Sequence, residues 1–184
     1  MNTHYAAPWS SSSSLECRDS VWGKLIVNNV AATGPFEFLS VLPGAKGAES
    51  RSQCLTGWFQ FGSRCVMLVD NTRTWLLAER YCVHFGANLA SIHSSEEYHF
   101  VQELIILQTE DFTPAWIGGF DAVQTRVWLW SDGSRFDYRN WLTGEPNNFG
   151  GREQCMMMND GGEKRWNDIQ CGSIFPSVCS KRLC

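Results

Sequence analysis

Glu145-Pro146-Asn147, Glu153-Gln154-Cys155 and Trp166-Asn167-Asp168 are the three phrases on which the reading of this chain turns. Five of their residues, Glu145, Asn147, Glu153, Asn167 and Asp168, supply hard oxygen donors, and three of these are carboxylates. Calcium takes about six to eight oxygen ligands at roughly 2.3–2.6 Å and accepts irregular geometry. Against a divalent cation three carboxylates leave a slight negative excess, so two amide carbonyls can fill sites without adding repulsion. Any one of the five, taken alone, reads as a solvated loop residue. Spaced together, they read as a calcium site with room for a ligand.

The preceding stretch, residues 131–152, is rich in Gly, Asn, Asp and Pro. A loop of that length in a compact domain is either functional or disordered, and the clustered oxygen donors favour function. Around it the texture is short strands, expected at residues 116–119, 127–130, 156–158 and 177–180. Upstream, apolar residues alternate over 58–69 about Gly62-Ser63, which predicts a hairpin. Thr74 stands where it can cap a helix carrying Trp75, Ala78, Tyr81, Cys82 and Phe85, with Gly86 as the stop. Ser94 and Glu97 form a capping-box pattern before a second helix to about residue 107, with Phe100, Val101, Leu104 and Ile105 inward. The class is α+β: two helices, short mostly antiparallel sheets and a long calcium-binding loop.

A chain of 184 residues accommodates one ordinary domain and a tail, or two very small domains. Residues 1–53 read as a flexible tail, with recurring Ser, Gly, Ala and Pro and a link at Pro43-Gly44 and Gly47; the domain spans 54–184. A formal charge of −4 without a basic run excludes a nucleic-acid surface. No apolar stretch is long enough to span a membrane. Eight cysteines without a Cys-x-x-Cys pair, and no zinc spacing among His4, His84, His93 and His99, favour disulfides and an extracellular, secreted protein. The N-terminus lacks the basic start and the apolar run of about 7–15 residues of a secretory signal. The cysteines outweigh it.

These marks together resemble a C-type lectin-like domain over about residues 54–182. They are Cys54-x-x-Gly57-Trp58, Cys82, Trp116-Ile117-Gly118-Gly119, Glu145-Pro146-Asn147, Cys155, Trp166-Asn167-Asp168, Cys171 and Cys179. The segment from Gly86 to His93, followed by Glu96-Glu97-Tyr98, resembles the fish branch of soluble lectins and type II antifreeze proteins. The resemblance implies disulfides Cys54–Cys65, Cys82–Cys179 and Cys155–Cys171. Cys17 and Cys184 fall outside that pattern; they are left to pair together, to link chains into a homo-oligomer, or to stay free.

The resemblance further implies one Ca²⁺ held by Glu145, Asn147, Glu153, Asn167 and Asp168, with the Asp168 carbonyl as a sixth ligand and Pro146 cis. Two equatorial vicinal hydroxyls of a glycan would replace calcium-bound water. Each would donate to Glu145 or Glu153 and accept from Asn147 or Asn167. Glu-Pro-Asn implies mannose, fucose, glucose or N-acetylglucosamine, and microbial glycans as targets in innate recognition; Gln-Pro-Asp goes with galactose. An auxiliary calcium is not expected, because Asp121 fits that site but Thr125, Asn148 and Gln154 stand where acids are needed. Trp141, if exposed, is a minor candidate for stacking on a sugar.

The rival reading is a type II ice-binding protein. Ala122 and Leu142 stand where additional cysteines of that branch are expected, and the Glu-Pro-Asn loop suits sugar. A protein-binding receptor domain usually loses the calcium ligands, which this chain keeps. An enzyme is the weakest option, since no Ser-His-Asp order, phosphate loop or zinc-protease motif is present. Met156-Met157-Met158 reads as a strand packing on both faces, not as a soft-metal site.

Overall fold

The computed structural model describes residues 53–183. The tail assigned to residues 1–53, with Cys17, and the terminal Cys184 lie outside them, apart from Gln53. Ten elements and one 3₁₀ turn follow in order: β1 (Phe59–Phe61), β2 (Arg64–Arg73), α1 (Trp75–His84), β3 (Asn88–Leu89), α2 (Ser95–Thr109), β4 (Ala115–Phe120), β5 (Leu129–Trp130), the turn Phe149–Gly151, β6 (Cys155–Asp160), β7 (Arg165–Ile169) and β8 (Phe175–Arg182). The strands form one eight-stranded sheet with path β1-β2-β8-β4-β6-β7; β3 joins β8 and β5 joins β4. Pairing is antiparallel except between β4 and β8.

The helices begin and end for different local reasons. Ser94 accepts the Glu97 N–H at 3.1 Å, as the capping box requires. Its reciprocal half is displaced, because Glu97 accepts the N–H of His93 rather than that of Ser94. Thr74 occupies the N-cap of α1, yet its hydroxyl makes no capping bond. The adjacent Trp75 N–H is instead satisfied by the Cys171 carbonyl at 3.1 Å, so a distant loop substitutes for the side chain. At the other end the Gly86 N–H bonds to Val83 and the Ala87 N–H to Cys82, with Gly86 at φ +64°. That is the Schellman arrangement, which a Cβ would strain.

Two apolar clusters share the sheet. The larger takes Val101, Leu104 and Ile105 from α2 together with Trp128, Trp130 and Trp166, all buried. The smaller takes Ala78 and Cys82 from α1 with Trp116 and Cys179. Of the other predicted inward positions, Trp75 and Tyr81 are half-buried and Phe85 is exposed. Phe100 lies at the margin of the larger cluster against Phe61, with ring centres 5.1 Å apart. β6 is the partition: Met156 and Met158 belong to the larger cluster and Met157 to the smaller. The methionine run packs on both faces, as its alternation predicts.

Gly118 allows β4 to lie against β3. A Cβ there would stand 2.6 Å from the Leu89 carbonyl oxygen, and the Gly118 N–H bonds to Ala90 at 2.9 Å. Three disulfides staple the domain: Cys54–Cys65, Cys82–Cys179 and Cys155–Cys171. Cys82–Cys179 spans 97 residues, worth about 4–5 kcal/mol in the loop-entropy account.

Candidate functional site

The long loop leaves β5 at Trp130 and is stitched to β7 before it reaches the predicted ligands. Trp166 N–H donates to Asn140 at 2.9 Å, and Leu142 N–H donates to Trp166 at 2.8 Å. Trp141 packs against Trp128 and Trp166, with ring centres 4.7 and 5.8 Å away. Its half-buried ring anchors the loop. Tyr138 and Phe136 also meet Trp166, so an aromatic hub fixes the loop's inner half.

The outer half is held by polar bonds among the predicted residues. The Glu145–Pro146 peptide is cis. Glu145 Oε1 accepts the Asn147 side-chain amide at 2.8 Å, and Oε2 accepts the Asn147 backbone N–H at 3.0 Å. The same N–H also reaches Asp168 Oδ1 at 3.0 Å, while Asn148 N–H donates to Asp168 Oδ2 at 2.7 Å. Glu153 Oε2 accepts the Phe149 N–H at 2.8 Å, and the Glu153 N–H donates to Asn148 Oδ1 at 3.0 Å. Glu145 and Asp168 are thus joined through Asn147, which donates to both. Glu153 joins them through the 148–149 backbone.

Two observations bear on whether a cation fits. Burial, and then the Asp168 carboxyl beside it, push the Glu145 carboxyl above its ordinary range, against the pull of the Asn147 donors. Two acids converging on one N–H are a place where positive charge is missing. Asn167 gives its amide hydrogens to Asp160 at 3.0 Å, leaving Oδ1 buried with no partner. A buried acceptor left unpaired costs about 1–3 kcal/mol, so that carbonyl suits an incoming cation. Among the described residues no three His, Cys, Asp or Glu side chains form a metal-binding group by themselves.

Around the expected auxiliary position, Asp121 is buried, with one oxygen on the Arg126 N–H at 2.7 Å and the other unpartnered. Thr125 is exposed, Asn148 braces Glu153, and Gln154 donates to the Gly151 carbonyl at 3.1 Å.

One polar network was not legible in the sequence. His93 lies 3.1 Å from Asp137 through Nδ1 and 3.0 and 3.2 Å from Ser91 and Ser134 through Nε2. Acid, imidazole and hydroxyl do meet, but the hydroxyl protons go elsewhere: Ser91 donates to Asp132 at 2.5 Å and Ser134 to Asp132 at 2.6 Å. Arg64 completes the network, reaching Glu97 at 2.5 Å and Ser91 at 2.9–3.0 Å as well as the Ser180 hydroxyl. The arrangement clamps β2, β8 and α2 to the 131–137 loop and leaves no nucleophile activated.

The Lectin C-type domain model matches residues 71–181, and the chain belongs to that family. It is 62% identical over 141 residues to ladderlectin of Oncorhynchus mykiss, covering 73% of this chain and 74% of that protein. It is 43% identical to the lactose-binding lectin l-2 of Anguilla japonica, covering 71% and 79%. The solved structure of herring type II antifreeze protein superposes with TM-score 0.66 at 42% identity, covering 71% of this chain and all of that one. The relatives are therefore both lectins and antifreeze proteins. Three disulfides fit an oxidising compartment, and among the described residues no helix is long and apolar enough to cross a membrane.

Proposed function

We propose that this protein is a secreted, calcium-dependent lectin without enzymatic activity, binding glycans of the mannose type. The supporting observation is that Glu145 and Asp168 both accept from Asn147, while Asn167, next to Asp168 on β7, keeps a buried carbonyl oxygen without a partner. Glu145, Asn147, Glu153, Asn167 and Asp168 would hold the ion, which supplies a Lewis-acidic point for two vicinal hydroxyls. The protein's own groups do the discriminating. Carboxylates accept hydroxyl protons and amides donate to hydroxyl oxygens, so each hydroxyl is recognised in both senses.

The order Glu145 then Asn147 supports mannose, fucose, glucose or N-acetylglucosamine, whose paired hydroxyls are equatorial. The lactose-binding relative makes galactose-terminated glycans the necessary comparison. A single shallow site of this kind binds a monosaccharide at about 1 mM, so several linked copies would raise avidity. Residues 1–53 would then serve as a tail that spaces the binding domains, with Cys17 or Cys184 as the covalent link. Microbial surfaces, with their repeated sugars, suit that arrangement.

The second reading, ice binding, is favoured by the likeness to herring type II antifreeze protein. A glycan array with and without EDTA, beside an ice-recrystallisation assay, tests both. Mannose-type signals lost in EDTA, with unhindered ice growth, are expected. Calcium-insensitive or absent glycan signals overturn the lectin reading.

A further inference from the structure

A second groove lies between α2 and the β6–β7 hairpin, with a volume of about 280 Å³. Its floor is fully satisfied. The Tyr98 hydroxyl and the Gln102 amide both donate to the Lys164 carbonyl, and Gln102 also reaches Asn159 at 3.0 Å. Its walls are not. Tyr138, His99 and Asn140 line the groove, and their side-chain polar groups make no hydrogen bond to another described residue. These groups are otherwise placed by ring packing and backbone: Tyr138 on Trp166, His99 beside Tyr98, and Asn140 through its carbonyl to Trp166 N–H.

Charge at the rim is balanced. Arg165 pairs with Glu163 at 3.5 Å, and the Lys164 ammonium sits over the Phe112 ring, 5.8 Å from its centre. Glu96 lies close enough to Tyr138 to raise its phenol above the ordinary range, after burial. Lys164 and Arg165 stand against Glu163 and Glu96, so the rim carries no net charge with which to select an ion. What remains open is a phenol, an imidazole and an amide, a mixed set of donors and acceptors on rings that present apolar faces.

We infer that this groove is a calcium-independent binding site for a neutral, polyhydroxylated ligand, a saccharide unit, held by Tyr138, Asn140 and His99. It is separate from the Glu145 site and does not depend on the reading of that site. A sugar's hydroxyls would satisfy the open wall groups, and its C–H faces would lie on the aromatic rings.

The test uses the full chain, isotope-labelled and kept in EDTA so that calcium-held sugar is absent. Mannotriose, chitotriose and lactose are titrated while backbone amide resonances are followed, with glucuronic acid and sulfated galactose as charged controls. Expected are saturable shifts at residues 95–102, 138–140 and 163–165 with at least one neutral probe. Tyr138→Phe and Asn140→Ala should each weaken binding by roughly five- to tenfold, the loss of about one hydrogen bond. Asp168→Asn should leave these shifts unchanged. The inference is overturned if no neutral probe moves those residues, if the shifts map to residues 145–154, if the charged controls bind more tightly, or if both groove variants, showing native-like spectra, bind as wild type does.

Discussion

Asn148 donates its backbone N–H to Asp168 Oδ2 at 2.7 Å, across a sequence gap of 20 residues. Asp168 lies on β7, so the tip of the long loop is tied to the sheet by a buried carboxylate that also accepts from Asn147. Asp168→Asn keeps the size of the side chain but offers one carbonyl where two carboxylate oxygens stood. Calcium affinity should fall by roughly 10–100-fold, the order seen when a group supporting a metal site is lost. Calorimetry measures this, and faster amide exchange at Asn147 and Asn148 should accompany it. Retained calcium heat with slow exchange at both amides would count against the clamp.

The pair Glu145→Gln with Asn147→Asp reverses which side of the loop accepts and which donates. Glu145 and Asn147 already bond to one another through side chains at 2.8 Å, and the swapped pair can restore that contact with donor and acceptor exchanged. The double variant should fold normally and shift its array preference from mannose towards galactose. Unchanged mannose binding would remove the loop from the account of specificity.

Phe149 is 77% exposed on the 3₁₀ turn, while its N–H is pinned to Glu153. Removing an exposed ring costs stability little, within about 0.5 kcal/mol. Beside a sugar it can stack on C–H faces, and aromatic contacts of this sort contribute about 0.5–1.5 kcal/mol. Phe149→Ala should therefore leave the urea midpoint in place and weaken glycan binding by about two- to tenfold. An unchanged affinity would show that the ring does not meet the ligand.

Arg64 and Glu97 form an ion pair at 2.5 Å, with the Glu97 side chain 5% exposed and that of Arg64 18%. Removing one member strands the other, at about 3–5 kcal/mol. Arg64→Ala should lose that much in urea unfolding, and Arg64→Ala with Glu97→Gln should recover part of it. A double variant as unstable as the sum of the singles would show that Arg64 acts through its other partners.

Acid should release the same network from its loop side. Burial would raise the Asp132 carboxyl, but bonds from Ser134 and Ser91, with Arg64 nearby, outweigh it and hold the group below its ordinary range. A carboxyl lowered on folding stabilises the native state above the usual carboxylate range and loses that contribution as pH falls through its lowered value. Asp132→Asn should be less stable than wild type at pH 7, by about 1–2 kcal/mol. The gap in urea midpoint should narrow steadily below about pH 4. A gap independent of pH would mean that charge at Asp132 is not what matters.

Much of this was readable from local pattern. Val101, Leu104 and Ile105 follow helical spacing, Ser94 announces the start of α2, and alternation across Met156 to Met158 gives a strand between two interiors. β7 was not read as a strand, because Arg165-Trp166-Asn167-Asp168-Ile169 carries too few β-forming residues; pairing with β6 overrides its weak propensity. β3 is two residues long and exists only through β8. The five expected ligands stand out in the sequence by type and order, whereas the bonds from the Asn147, Asn148 and Phe149 N–H groups to Glu145, Asp168 and Glu153 are a tertiary fact. The His93 network draws on Arg64 and Ser180, 116 residues apart, and no local periodicity marks it.

β6 separates two interiors with three successive thioethers. Unbranched, polarizable side chains accommodate irregular neighbours. A party wall built from them can absorb drift in either room by rotating instead of breaking. The loops above can then exchange one surface chemistry for another while the walls below stay up, which gives a single scaffold a physical route to unrelated trades.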